Sequence, residues 1–140
     1  MIKRFLVSVV LVILIFLGIT YVALEGGGVV TVETQTGAGD LRTTHIWHVV
    51  HEGTLLLEAG HPANPWVQDI EHNPEVSLTG DGLEGVYTLE RHGPETHAQI
   101  RGLMRAKYGW RDWWVALLFD TSESFLIEAT PKSDATRPAT

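Results

Sequence analysis

Seven histidines, five tryptophans and no cysteine define the chemistry open to this chain of 140 residues. Without cysteine, thiolate zinc sites, iron–sulfur clusters, cysteine nucleophiles and disulfides are excluded. Imidazole serves metals and haem, and His45, His48 and His51 lie in one β-branched run. A strand's period of two puts His45 and His51 far apart on one face and His48 on the other. A compact metal site would therefore need His61, His72, His92 or His97 brought in by the fold, and no resident metal is expected. Other signatures are missing: the chain has no Walker-type phosphate loop, no G-x-G-x-x-G after a strand, no G-x-S-x-G elbow and no H-E-x-x-H.

Tryptophan is the more informative enrichment. Rings as large as Trp47, Trp66, Trp110, Trp113 and Trp114 mostly belong to a core, and each N–H needs a partner. Trp113 and Trp114 are expected in the core or close to a membrane. Trp66 differs, because it opens a helix after a Gly-containing loop, where a ligand could lie against it. The charge balance, 10 Lys+Arg against 17 Asp+Glu, argues against a nucleic-acid partner, which needs clustered cations.

Two kinds of segment must position these residues. Phe5 to Leu24 carries no charge and is mostly Val, Leu, Ile and Phe. Twenty such residues rise about 30 Å as a helix, the thickness of a bilayer's hydrocarbon core. Lys3 and Arg4 precede the run, which predicts a cytoplasmic N-terminus and the rest of the chain on the extracytoplasmic side. A cleaved signal peptide is the competing reading, although its apolar stretch would be shorter and Tyr21-Val22-Ala23 is a poor cleavage site. Gly26-Gly27-Gly28 then reads as a short flexible joint.

Beyond the joint, β-branched and alternating runs predict strands over 29–36, 43–51 and 54–59, with Glu52-Gly53 as a hairpin turn. Asn64 caps and Pro65 opens a helix that Asn73-Pro74 stops. A second hairpin spans 75–79 and 83–91 around Gly80-Asp81-Gly82. Ala98, Ile100, Leu103 and Met104 give 95–108 a helical period that Gly109 ends. The apolar run 110–119 suits a buried helix or a strand, a short helix being the favoured reading, and 124–130 is a last strand. Six strands with few, late helices predict a mainly β fold, a small antiparallel barrel. The expected organisation is a membrane anchor over 1–25, a barrel over 26–131 and a disordered tail over 132–140.

The run Glu58-Ala59-Gly60-His61-Pro62-Ala63-Asn64-Pro65-Trp66-Val67-Gln68-Asp69-Ile70-Glu71-His72-Asn73-Pro74-Glu75-Val76 resembles the loop–helix–strand signature of split β-barrel flavin and deazaflavin proteins. These are the pyridoxamine-phosphate-oxidase-like and deazaflavin-dependent nitroreductase-like families. Lys107-Tyr108-Gly109-Trp110-Arg111-Asp112 looks like the late helix end of the same superfamily, so the resemblance spans about residues 29–131. It implies a six-stranded split barrel, commonly a homodimer, that holds FMN or a deazaflavin coenzyme in a groove. By position it implies cofactor contacts from Arg42, Thr43, Thr44 and His45, then Ala59, Gly60, His61, Asn64, Pro65 and Trp66. It names no catalytic residue.

The chain departs from the family pattern in two places. Thr36 to Arg42 offers Arg42 as its one cation where members carry a basic, phosphate-gripping loop, and Asp69 stands where many have Asn. The implied activity is a membrane-anchored oxidoreductase passing electrons to a small acceptor such as a quinone or nitro compound. The alternatives are a non-catalytic barrel binding haem or another small ligand, and a structural membrane-tethered module.

Overall fold

A computed structural model describes residues 1–132. Its elements, in chain order, are α1 (Ile2–Glu25), β1 (Val29–Gln35), β2 (Leu41–His51), β3 (Thr54–Ala59), α2 (Pro65–His72), β4 (Glu75–Gly80), β5 (Leu83–Arg91), α3 (His97–Tyr108), α4 (Trp110–Leu118) and β6 (Phe125–Pro131). A single 3₁₀ turn, Pro94–Thr96, leads into α3. The six strands close into an antiparallel barrel in the order β1-β2-β3-β6-β5-β4. Closure leaves no sheet edge exposed to another chain.

Period-two alternation sorts the strand residues. On β3, Leu55, Leu57 and Ala59 point into the barrel with Val30, Val32, Leu78, Tyr87 and Ile127. Leu56 points outward and packs with Ile100, Met104, Tyr108 and Leu126 beneath α3. The molecule thus has two cores on opposite faces of one wall. Each fully buried Leu or Ile contributes about 1.5–3 kcal/mol by its removal from water.

Both predicted hairpins form. Glu52 and Gly53 have φ of 52° and 78°, a two-residue turn between His51 and Thr54. In the second hairpin Gly80 pairs with Leu83, so Asp81 and Gly82 alone make the turn. The ambiguous run 110–119 is helix α4, and β2 begins two residues before the expected Thr43. Asn64 makes no side-chain cap bond; its backbone carbonyl instead accepts from the Val67 and Gln68 N–H groups. All but Lys132 of the expected tail lies outside the described residues.

The Gly26–Gly28 joint is held rather than loose. Arg111 donates through Nε to the Ala23 carbonyl (2.9 Å) and through Nη1 to the Gly27 carbonyl (2.7 Å). Trp47 Nε1 donates to the Leu24 carbonyl at 3.2 Å, and the Tyr108 hydroxyl donates to the Gly28 carbonyl. These side chains satisfy carbonyls that a helix C-terminus leaves orphaned, and the Arg111 charge suits that end of the helix dipole. A Cβ at Gly28 would sit 3.1 Å from the Tyr108 ring, so the close approach requires glycine.

Candidate functional site

Strands β2 and β3, the loop into α2, the C-terminal end of α1 and helices α3 and α4 line an open cleft of about 550 Å³. That lies within the range of about 300–1,000 Å³ usual for small-molecule sites. Eight of the ten residues predicted from sequence line it: Arg42, Thr43, Thr44 and His45 from β2, Gly60 and Asn64 from the loop, and Pro65 and Trp66 from the start of α2. A strand's outward residues, Thr43, His45 and Trp47, recur every second position, and the loop after β3 folds back beside them.

The other two predicted residues lie elsewhere. Ala59 is fully buried inside the barrel, one step of the pleat away from Glu58, which faces the cavity. His61 points away to Glu123 (3.0 Å), and its Nδ1 accepts the Ala63 N–H at 2.9 Å. Trp66 reaches the cavity only with a small part of its surface, since it is 4% exposed and packed in the barrel core. Its role is to fix the floor of the cavity.

Electrostatics distinguish the parts of the lining. Arg42 Nε donates to Asp69 Oδ2 at 2.7 Å, and the same oxygen accepts from Thr34 Oγ1 at 2.8 Å. Asp69 therefore holds the one cation that sequence offered for a phosphate. The loop before β2 spends its polar groups on itself: Thr36 N–H bonds the Asp40 carbonyl, and the Gly39 and Asp40 N–H groups bond Thr36. At the start of α2, the Asn64 N–H is committed to the His61 carbonyl and Pro65 has none, which leaves Trp66 as the one amide of the three.

A buried ionic cluster forms the remaining wall, and sequence reasoning missed it. Arg101 donates through Nη1 to Glu58 Oε1 (2.7 Å) and through Nη2 to Asp112 Oδ1 (2.5 Å), with Asp112 only 1% exposed. Burial pushes the Glu58 carboxyl above its ordinary value of 4.5, and the neighbouring Arg101 draws part of that rise back. Residues 58, 101 and 112 have no sequence spacing in common. The one available signal was Arg101 directly after Ile100 on the apolar side of α3.

A second polar group sits across the barrel. His48 Nε2 lies 3.2 Å from both Lys107 Nζ and Asp81 Oδ2. Burial first, then the Lys107 charge, lowers the His48 pKa to about 4, so this imidazole is neutral. His45 and His51 are exposed on the opposite face of β2, as the period of two required. Among the described residues no group of three or more His, Cys, Asp or Glu is arranged to hold a metal ion.

A planar tricyclic ring fits the cavity by size and by the open wall at Gly60, where an added Cβ would meet nothing nearer than Asn64 Nδ2 at 4.0 Å. An attached phosphate is less well served. Arg42 and Arg101 are both paired, and Glu25, Glu58 and Asp120 also line the space.

No protein-family model and no curated protein matches the sequence. Solved structures do match the fold. HutZ, a haem storage protein from Vibrio cholerae, superposes with a TM-score of 0.59 at 13% identity, covering 82% of this chain and 89% of that one. An F420 reductase gives 0.57 at 14% identity, over 84% and 96% of the two chains. A protein related to general stress protein 26, of the pyridoxinephosphate oxidase family and from Clostridium acetobutylicum, gives 0.54 at 17% identity, over 78% of each. The chain shares the split-barrel fold of these proteins, and fold does not by itself assign function.

Proposed function

We propose, from a split barrel of the kind found in an F420 reductase and a pyridoxinephosphate-oxidase-family protein, that this chain is a membrane-anchored oxidoreductase. It uses FMN or a deazaflavin coenzyme to reduce a small acceptor such as a quinone or nitro compound. The observation that carries the reading is the 550 Å³ cavity with eight of the anticipated contact residues around it. When bound, the ring supplies the hydride chemistry. The protein's part is positional and electrostatic. Gly60 admits a flat ring against the backbone, and the outward Thr43 hydroxyl and His45 offer hydrogen bonds along its edge. Glu58, its pKa raised by burial, holds a proton nearer to neutral pH than an exposed carboxylate would.

The anchor reading is supported by what the barrel commits to α1. Helix α1 has a mean hydropathy of 2.9 over its best window, and no part of that window is buried in protein. Arg111, Trp47 and Trp114 all bond to its last turns. Cleavage after Ala23 would remove Thr20, the partner of Trp114, and the Ala23 carbonyl that Arg111 Nε bonds, and would leave Trp47's partner at the new chain end. The barrel then lies on the extracytoplasmic side, by the charge rule that places Lys3 and Arg4 inside.

The visible spectrum of the detergent-extracted full chain tests the proposal. Flavin or deazaflavin bands are expected. A Soret band would replace the reading with a haem-binding one, which the likeness to the haem storage protein favours as the alternative. A chain that takes up neither FMN nor a deazaflavin when given them would overturn the proposal, and one that also takes up no added haem would overturn both readings.

A further inference from the structure

Helix α4 has two unlike sides. Its only charged residues turn toward the rest of the protein: Asp112 pairs with Arg101, and Arg111 bonds the end of α1. Its outward side carries Trp110, Trp113, Leu117 and Leu118, at 53%, 61%, 62% and 37% exposure. These positions are spaced i, i+3, i+7 and i+8, one continuous apolar stripe. Between the two sides, Trp114 reaches α1. Its indole N–H donates to Thr20 Oγ1 at 3.1 Å, and its ring centroid lies 5.5 Å from that of Phe16.

Those contacts fix how deep α4 sits. Thr20 and Phe16 precede Leu24, the last apolar residue of α1, by four and eight residues, which is about 6 and 12 Å along the helix. If α1 spans a bilayer, Trp114 touches it below the level where the hydrocarbon ends. Helices lying in the membrane plane bury their apolar face about 5–10 Å into the headgroup–acyl boundary, and tryptophan concentrates there. The depth set by Trp114 and the composition of the exposed stripe agree.

We propose that α4 lies in the interfacial layer of the same bilayer that α1 spans, with its Trp110–Trp113–Leu117–Leu118 face sunk among the lipids. The cavity, bounded by Leu24 and Glu25 on α1 and by Val115 on α4, then opens at the membrane surface. The occupant of the stripe is lipid, held by apolar burial rather than by charge. Without Lys3 and Arg4 the chain has eight basic against 17 acidic residues, so anionic headgroups would repel it. Zwitterionic lipid is sufficient. The inference rests on the anchor reading and not on the cofactor.

The absence of native cysteine allows a direct test. Leu117→Cys, and Glu84→Cys on the exposed side of β5 as a reference, each take a nitroxide label in the full chain, reconstituted in phosphatidylcholine vesicles. Power saturation should show oxygen accessibility severalfold higher, and nickel-chelate accessibility severalfold lower, at 117 than at 84. A label at 117 as open to the chelate as that at 84, in protein that floats with the vesicles, overturns the seat of α4 and leaves the anchor standing. Shielding from both reagents overturns it in favour of a protein partner or a second copy. Protein that does not float with vesicles overturns the anchor and the seat together. Cofactor absorbance in the same vesicles reports separately on the cavity.

Discussion

Replacing Arg101 by Met removes the cation that Glu58 and Asp112 share on the cavity wall. The two carboxylates would remain, with side chains 10% and 1% exposed and their chief partner gone. Breaking a buried ion pair from one side costs about 3–5 kcal/mol, against a total stability of about 5–15 kcal/mol for a domain. Arg105 cannot replace it, since its Nε is 3.8 Å from Asp112 and its side chain is largely exposed. Chemical denaturation of the full chain in nonionic detergent, followed by circular dichroism, measures the loss.

The pH dependence is diagnostic. A carboxyl whose folded pKa is raised binds a proton more tightly in the folded chain than in the unfolded one. Stability then falls as pH climbs from the ordinary value of 4.5 through the folded value. The Arg101→Met deficit should accordingly be largest at neutral pH and shrink below 4.5. Adding Glu58→Gln and Asp112→Asn should recover much of it. A loss under about 1 kcal/mol at neutral pH, the size of an exposed pair, would refute the account of a buried cluster.

Other expectations follow from single contacts. Tyr108→Phe removes the hydroxyl that accepts the His48 N–H at 3.0 Å and donates to the Gly28 carbonyl, and should cost about 1–3 kcal/mol in the same denaturation assay. It should also speed proteolysis at Gly26–Gly28. Asp69→Asn releases Arg42 from its ion pair and should tighten FMN binding severalfold in a fluorescence titration. His48, with its folded pKa lowered from 6.5 to about 4, contributes stability that is fully present above 6.5 and lost as pH falls toward 4, up to about 3 kcal/mol. His48→Gln should flatten that limb of the stability profile.

The fold was legible where local chemistry is decisive. Pro65 and Asn73-Pro74 bracket α2, Glu52-Gly53 turns the first hairpin, and period-two alternation separates the two faces of each strand. The run 110–119 was legible only as a preference for a short helix over a strand, which α4 bears out, whereas the inward turn of Asp112 became visible only in three dimensions. The cavity was legible by resemblance along β2 and the loop, both continuous in sequence. Position alone put Ala59 in it, whereas the pleat turns Ala59 inward and Glu58 outward. The Glu58–Arg101–Asp112 and His48–Asp81–Lys107 groups draw on β3, α3 and α4, or on β2, a turn and α3. No spacing rule connects such elements before the barrel closes. Arg111 likewise finds its partners far off in sequence, at carbonyls at the end of α1 that lie 84 and 88 residues away.

The most direct test of the cavity assignment compares FMN and deazaflavin binding by the wild-type chain and by Gly60→Trp, which fills the open wall with an indole. Both proteins are measured by fluorescence titration in the same detergent, with circular dichroism to confirm that both are folded. Saturable binding by the wild type, lost in folded Gly60→Trp, is the predicted result. Equal affinity in the two proteins would place the cofactor elsewhere and contradict the assignment.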